Sequence, residues 1–81
     1  MAEGKGKLME TIPVASSLLR AASYDPEAQE LHLTFKDGAR WVYGNAGQPF
    51  TQEDADALAG APSSGKHFLS AIKGAFPERR G

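Results

Sequence analysis

The sequence predicts an α+β fold in which a three-stranded antiparallel meander is packed on one face by two C-terminal helices. An Asp37-Gly38 pair lies between two alternating apolar runs, which is the pattern of a tight β-hairpin. Beyond residue 43 the apolar residues recur at helical spacing. The chain has 81 residues, 41% hydrophobic and 23% charged, so it forms one small globular domain, which we place at residues 12–77.

The first predicted strand covers residues 14–24. Alternation along it places Leu18 in the core. Because this strand is at the edge of a three-stranded meander, its outer edge is expected to have no partner strand. Its alanines weaken strand preference, and a helical turn over residues 16–22 is the alternative. Residues 1–11, rich in Gly and Lys, are expected to form a flexible leader.

The second and third predicted strands cover residues 29–36 and 39–45. In the third strand Trp41 and Tyr43 alternate and share a face, which is either core or a platform on which bases or peptides stack. Core is the expected role for one of them. Tyr43, near the strand end and close to Arg40, would then keep its hydroxyl in solvent.

Two helices follow, over residues 51–60 and 64–75. Thr51 is a good N-cap for the first, and Pro77 ends the second, leaving residues 78–81 as a basic tail. The predicted core consists of apolar residues from strands and helices: Leu18, Leu31, Leu33, Phe35, Trp41, Leu58, Phe68, Ile72 and Phe76.

Composition excludes several classes of function. The chain has no cysteine, hence no thiol nucleophile and no thiolate metal site. No apolar run approaches the roughly 20 residues of a membrane span, and we expect a cytoplasmic protein. The net charge of -1 conceals an acidic middle and a basic C-terminal part. This segregation indicates two electrically different regions, and the alternative is accidental clustering of charges on a solvated surface.

The run Ser63-Ser64-Gly65-Lys66-His67 partly resembles a phosphate-binding loop. Gly60 has the spacing that such a loop requires, but His67 stands where the magnesium-binding hydroxyl belongs. A helix N-terminus with free amides still favours an anion there. Ordinary helix capping is the alternative.

Metal binding and catalysis are not expected. His32 and His67 lie in different elements, and neither has a second imidazole at ligand spacing. The serines are plentiful, but no sequence feature marks one as a nucleophile. The chain is therefore predicted to be a non-enzymatic binding module without a cofactor.

The predicted ligand is RNA or another phosphate-bearing molecule, held by the basic second helix and tail. Lysine and arginine would contact phosphates, and an aromatic edge would stack on a base. The candidate residues are Lys66, Lys73, Arg79, Arg80, Arg40, Tyr43, Ser63, Ser64, Gly65 and His67.

Short motifs along residues 12–77 resemble the KTSC domain family, named for the C-terminal domain of some lysyl-tRNA synthetases and also found in stand-alone bacterial and phage proteins. They are Val14-x-Ser16-Ser17, Tyr24-Asp25, Leu31-x-Leu33-x-Phe35-x-x-Gly38, Trp41-x-Tyr43, Pro49, Ala61-Pro62-Ser63, Gly65-x-x-Phe68 and Ile72. Trp41 replaces a tyrosine usual in the family, Gln48 a valine, and Leu69 an asparagine. If that asparagine contacts a ligand, this chain lacks the contact. The resemblance implies RNA binding only through the synthetase context.

The alternative is a protein-interaction module: a homo-oligomer, a phage-type adaptor or inhibitor, or an oligomer that sequesters a nucleotide. The free edge of a three-stranded meander can pair with another chain. We expect a homodimer with the first strand or the second helix in the interface.

Overall fold

The computed structural model describes residues 9–14, 16–45 and 47–81. These residues form an antiparallel five-stranded sheet in the order β1-β2-β3-β4-β5, with helices on one face. No helix among them is long and apolar enough to cross a membrane. The α+β class is confirmed, but the three-stranded meander is wrong, because a strand is added at each edge. The elements are β1 (Glu10–Ile12), β2 (Leu19–Asp25), β3 (Glu30–Phe35), β4 (Arg40–Tyr43), α1 (Gln52–Ala59), α2 (Ser64–His67), a π-helical segment (Phe68–Ile72) and β5 (Glu78–Arg80).

The β3–β4 hairpin is confirmed. Gly38 has φ +95°, a conformation that a residue without Cβ adopts at little cost. The Phe35 N–H donates to the Ala39 carbonyl at 2.8 Å, and the Asp37 carboxylate accepts the Ala39 N–H at 2.9 Å. The Asp-Gly pair thus closes the turn through both backbone conformation and a side-chain hydrogen bond.

A β-bulge in β2 overturns one core prediction. The register with β3 shifts between Leu19 and Ala21, with Arg20 as the extra residue. Because the alternation restarts after the bulge, Leu19 and Ala22 both face the core although strict alternation would separate them. Leu18 is consequently 37% exposed, and its predicted burial is wrong.

One outer strand forms at the end of the predicted leader, and the other forms in the predicted tail. Residues 1–8 of the expected leader lie outside the described residues, but Glu10–Ile12 pairs with β2 as β1. The expected tail pairs with β4 as β5, with Val42 opposite Arg79. The edge of β2 that we expected to be unpaired is therefore covered. Strands of three residues have too little periodicity for sequence patterning to reveal them.

The first helix begins as predicted. Thr51 accepts the Asp54 N–H on its hydroxyl, and the Asp54 carboxylate accepts the Thr51 N–H, which makes a complete capping box. The second helix ends three residues early. It changes from α to π winding at Phe68, and Lys73 has extended backbone while its N–H still reaches the Phe68 carbonyl at 2.8 Å.

The core lies between the sheet and the helices and is rich in aromatic rings. Phe68 packs edge-on against Phe35 and Tyr43, with ring centroids 5.6 and 5.3 Å apart. Phe50, absent from the predicted core, is fully buried against Tyr24. The predicted residues Leu31, Leu33, Leu58, Phe68 and Ile72 are buried, whereas Phe35, Trp41 and Phe76 are partly buried against the core.

Candidate functional site: the open face of the sheet

One face of the sheet is not covered by the helices. Strand register places residues that are opposite each other on the same face, and Leu31 and Leu33 point to the helices, so their neighbours point away. We call this second surface the open face. Its residues are mainly small or polar: Thr11, Ala21, Ser23, Asp25, Glu30, His32, Thr34, Arg40, Val42 and Arg79.

A groove of about 290 Å³ lies in the open face. Its floor consists of the small side chains of β2, which let a ligand approach the backbone closely. Polar side chains of β3 and β4 stand on one side, and Met9 stands on the other. We define this open-face groove by Met9, Ala21, Ser23, His32, Thr34 and Arg40.

Arg40 is the cation of the groove. Its side chain is exposed, and no carboxylate of the described residues lies within ion-pair distance of it. Its carbonyl accepts the Gly81 N–H at 3.1 Å, which brings Gly81 to the groove wall. A Cβ at Gly81 would lie 3.2 Å from the Val42 side chain, so this wall fits closely against β4. The backbone contact leaves the guanidinium available to an anion.

A cluster of two carboxylates and one imidazole lies on the same face, where β2 and β3 meet their turn. Asp25 pairs across the strands with Glu30, and His32 follows two residues later on the same face. The His32 Nε2 atom lies 3.6 Å from the Glu30 carboxylate, which is also paired with the Arg79 guanidinium at 2.9 Å. We call Asp25, Glu30 and His32 the turn cluster. The hydrogen bond to Glu30 raises the pKa of Arg79.

A second hollow, of about 350 Å³, lies at the α1–α2 junction. Three predicted anion-binding residues line it, namely Ser63, Lys66 and His67, together with Ser70. The Ser63 hydroxyl accepts the Lys66 N–H at 3.3 Å, which is the capping contact weighed as the alternative. Helix capping is therefore observed at this position, and anion binding there stays a prediction.

Ser64 and Gly65 are buried and do not line this hollow. A Cβ at Gly65 would lie 2.6 Å from the Ser16 hydroxyl oxygen, closer than such atoms approach. That hydroxyl accepts the Leu18 and Leu19 N–H groups at 2.9 and 3.2 Å, so the β1–β2 loop is fixed where it meets the helix. Gly65 thus has a packing reason to be glycine that is independent of any anion.

Tyr43 does not offer the stacking edge that we predicted. It is 2% exposed, packs on Phe68, and bonds to the Glu78 carboxylate opposite it. Burial, followed by this hydrogen bond and by the charge of Glu78, raises the pKa of Tyr43. The prediction of a solvent-exposed hydroxyl is wrong because β5 covers the position.

The other predicted cations are not gathered into one patch. Arg80 lies over the Trp41 ring, with 5.3 Å from its guanidinium carbon to the ring centroid, on the face that carries the helices. Arg79, the adjacent residue of the strand, points to the open face. Lys73 follows the end of the π-helical segment and does not share a helix face with Lys66. The predicted basic surface is thus divided between two faces of the sheet.

Sequence reasoning missed the turn cluster and the groove floor. The signal for the cluster was available, because a four-residue turn between β2 and β3 places its flanking residues, Asp25 and Glu30, opposite each other. The groove is also lined by Met9, which precedes β1, and by Gly81, which follows β5, and no local pattern indicated these two strands.

Three comparisons with known proteins identify the family. The KTSC domain profile matches residues 15–76. An uncharacterized protein of Stutzerimonas stutzeri (strain A1501) is 37% identical over 65 residues, which cover 80% of this chain and 86% of the relative. A protein of Tsukamurella paurometabola is 38% identical over 64 residues, or 79% and 90% of the two chains. The crystal structure of a KTSC domain protein from Yersinia pestis is similar with a TM-score of 0.77 and 27% identity, covering 91% of this chain and 99% of that one. The chain belongs to the KTSC domain family.

Proposed function

We propose that this protein is a non-enzymatic binding module that takes a phosphate-bearing ligand, single-stranded RNA in particular, in the open-face groove. The observation that supports this proposal best is Arg40, a cation without a carboxylate partner among the described residues, beside a floor of small side chains. An arginine fork matches the geometry of a phosphate and binds it through two N–H groups.

The rest of the groove suits a nucleotide. Ser23 and Thr34 supply hydroxyls that both donate and accept, as ribose and base edges require. Single-stranded RNA is recognised largely by stacking on planar side chains and by contacts to the 2′-hydroxyl. Tyr43 is buried, so the stacking role passes to the planar groups of His32 and Arg40.

Lys66 gives a second cationic position, at the α1–α2 hollow. It lies in α2, on the helical side of the sheet, whereas Arg40 points to the open face. A short RNA in the groove would therefore not need Lys66. This difference allows one experiment to separate the two positions.

The experiment is a fluorescence-anisotropy titration of a labelled single-stranded RNA at low and moderate salt. The variants are Arg40→Ala, Lys66→Ala and, as matched control, Arg20→Ala, since Arg20 is an exposed sheet arginine that does not line the groove. We expect Arg40→Ala to weaken binding about tenfold and to lower the slope of log K against log salt by about 0.7, the value for one single-strand phosphate contact. Arg20→Ala should leave both quantities close to those of wild type.

Two results contradict the proposal. Binding that Lys66→Ala abolishes and Arg40→Ala leaves intact would move the site to the α1–α2 hollow. Absent or salt-independent binding of wild type would remove RNA as the ligand. Repeating the titration with inorganic pyrophosphate as competitor tests whether phosphate alone is recognised.

A protein-interaction module, here a homodimer, is the second candidate. The edge of β2 is occupied by β1, so the interface would use the outer edge of β5 or the second helix. The observation in favour is Leu69, a large apolar side chain that is 55% exposed on that helical segment. Light scattering coupled to size exclusion at micromolar concentration tests it. A mass near 8.6 kDa at every dilution would contradict a homodimer, and Leu69→Ser should shift a dimer toward that mass.

A further inference from the structure

We propose that the turn cluster of Asp25, Glu30 and His32 is a binding site for a divalent transition-metal ion, with Zn²⁺ as the reference ion. This inference does not depend on the proposed RNA binding, because the ion would bind to the protein alone. It also revises the expectation that the chain lacks a metal site.

The geometry is close to that of a metal site. One candidate ligand atom from each of the three residues lies within 4.8 Å of the others. Zinc bonds to nitrogen and oxygen of about 2.0–2.2 Å in a tetrahedral site place neighbouring ligand atoms about 3.3–3.6 Å apart. The pair of His32 Nε2 and Glu30 Oε1, at 3.6 Å, is already at this separation. Asp25 supplies the third candidate ligand atom.

One further observation points to a ligand, and the Asp25 turn is compatible with it. The His32 Nε2 atom is shielded from solvent and has no hydrogen-bond partner in the described part of the chain, although buried nitrogens generally have one. One Asp25 oxygen accepts the N–H groups of Glu27 and Ala28 at 3.0 and 3.1 Å. These bonds hold the carboxylate in place and leave its second oxygen for an ion, as outer-shell hydrogen bonds do at known metal sites.

Arg79 is the competitor of the ion. Its guanidinium holds the second oxygen of Glu30 at 2.9 Å. Two carboxylates and one guanidinium sum to one negative charge when the imidazole is unprotonated, as a metal ligand must be. The site thus retains attraction for a cation, but Arg79 weakens it.

The ligand set selects the class of metal. One imidazole and two carboxylates suit Zn²⁺, Co²⁺ or Mn²⁺ rather than Ca²⁺, which takes six to eight oxygens. Three protein ligands leave a fourth position for water or a small anion.

The test uses the full chain without a histidine tag. Zn²⁺ binding is measured by calorimetry, and Co²⁺ binding by the visible absorption of a tetrahedral ion. The variants are His32→Ala and Asp25→Asn. Asparagine is chosen because its side-chain carbonyl can still accept the Glu27 and Ala28 N–H groups of the turn. The matched controls are His67→Ala, the other histidine, and Asp37→Asn, whose carboxylate also accepts a turn N–H at 2.9 Å.

We expect one ion per chain in wild type and in both controls, and binding roughly 100-fold weaker or undetectable in the two cluster variants. Arg79→Ala should strengthen binding about five- to tenfold, because it removes a positive charge next to Glu30. Circular dichroism of each variant checks that it is folded. No binding to folded wild type at millimolar Zn²⁺, or binding lost with His67→Ala instead, would overturn the proposal.

Discussion

The two faces of the sheet differ in nearly every property. The covered face holds interlocked rings and aliphatic side chains that are almost wholly buried, whereas the open face carries small, hydroxyl and charged groups around a groove. Apolar burial is the dominant favourable term in folding, so the covered face supplies most of the stability. Polar groups next to solvent are available for recognition, so we propose that the open face carries the binding function. The two roles should therefore respond separately to mutation.

The largest effect expected is on the covered face. Phe68→Ala removes a buried ring that contacts Phe35 and Tyr43, and it should lower the free energy of unfolding by about 3–5 kcal/mol. A domain of this size has about 5 kcal/mol in total, so the variant should retain only about 0–2 kcal/mol at room temperature. Urea denaturation followed by circular dichroism measures the change. A loss below about 1 kcal/mol would mean that the two faces do not differ in stability as described.

A smaller loss is expected from Gly65→Ala, about 1–3 kcal/mol, because the new Cβ would collide with the Ser16 hydroxyl. Ser16→Ala alone should also destabilise, since it leaves the Leu18 and Leu19 N–H groups without that acceptor. The double variant should lose less than the sum of the single losses, because without the hydroxyl the collision is relieved. Additive losses would instead show that the added methyl group is costly for a reason other than this collision.

Tyr43 makes the covered face sensitive to alkaline pH. Its folded pKa is raised above the ordinary value of 10.0, so above pH 10 the unfolded chain loses the phenolic proton while the folded chain keeps it. The free energy of unfolding should therefore fall, because of this residue, by about 1.4 kcal/mol for each pH unit above pH 10. Tyr43→Phe should cost about 1–2 kcal/mol at pH 8 by removing the bond to Glu78, yet decline less steeply above pH 10.

Melting curves at pH 8, 10 and 11 compare the two proteins. Part of the decline should remain in the variant, because burial and the charges of Glu10, Asp54 and Asp25 also raise the pKa of Tyr24. Equal slopes in wild type and variant would show that Tyr43 is not shielded by β5.

The smallest effect should come from the open face. Ser23→Ala removes a hydroxyl from the groove floor, and we expect the free energy of unfolding to change by less than about 0.5 kcal/mol. The measurement is the same urea titration. A loss above about 1.5 kcal/mol would indicate that the floor is part of a packed interior and would weaken the contrast between the faces.

Local signals predicted the centre of the fold well. The Asp37-Gly38 turn, the alternation in β3 and the Thr51 cap each act within a few residues, so the sequence displays them directly. The bulge at Arg20 could not be foreseen, because one added residue exchanges the two faces of a strand without changing its composition.

The candidate site was harder to predict than the fold. Lys66 and Ser63 do line a hollow, but Tyr43 is buried by a strand that was expected to be a tail. The groove joins β2, β3 and β4 with Met9 and Gly81, and a long-range arrangement of this kind leaves no trace in local spacing. Only the pairing of Asp25 with Glu30 could have been predicted, because the length of the turn between them can be counted in the sequence.

The strand order also predicts a sequence of folding events. β1, β2 and β3 each pair with the next strand through a short connection, whereas both helices lie between β4 and β5 in the chain, so the pairing of β4 with β5 closes a much longer loop. β5 should therefore join last and detach first, which amide hydrogen exchange would show as faster exchange in β5 than in β3. Each detachment would release Arg79 from Glu30 on the open face and would uncover Tyr43 in the core. The two faces of the sheet would therefore open at the same moment.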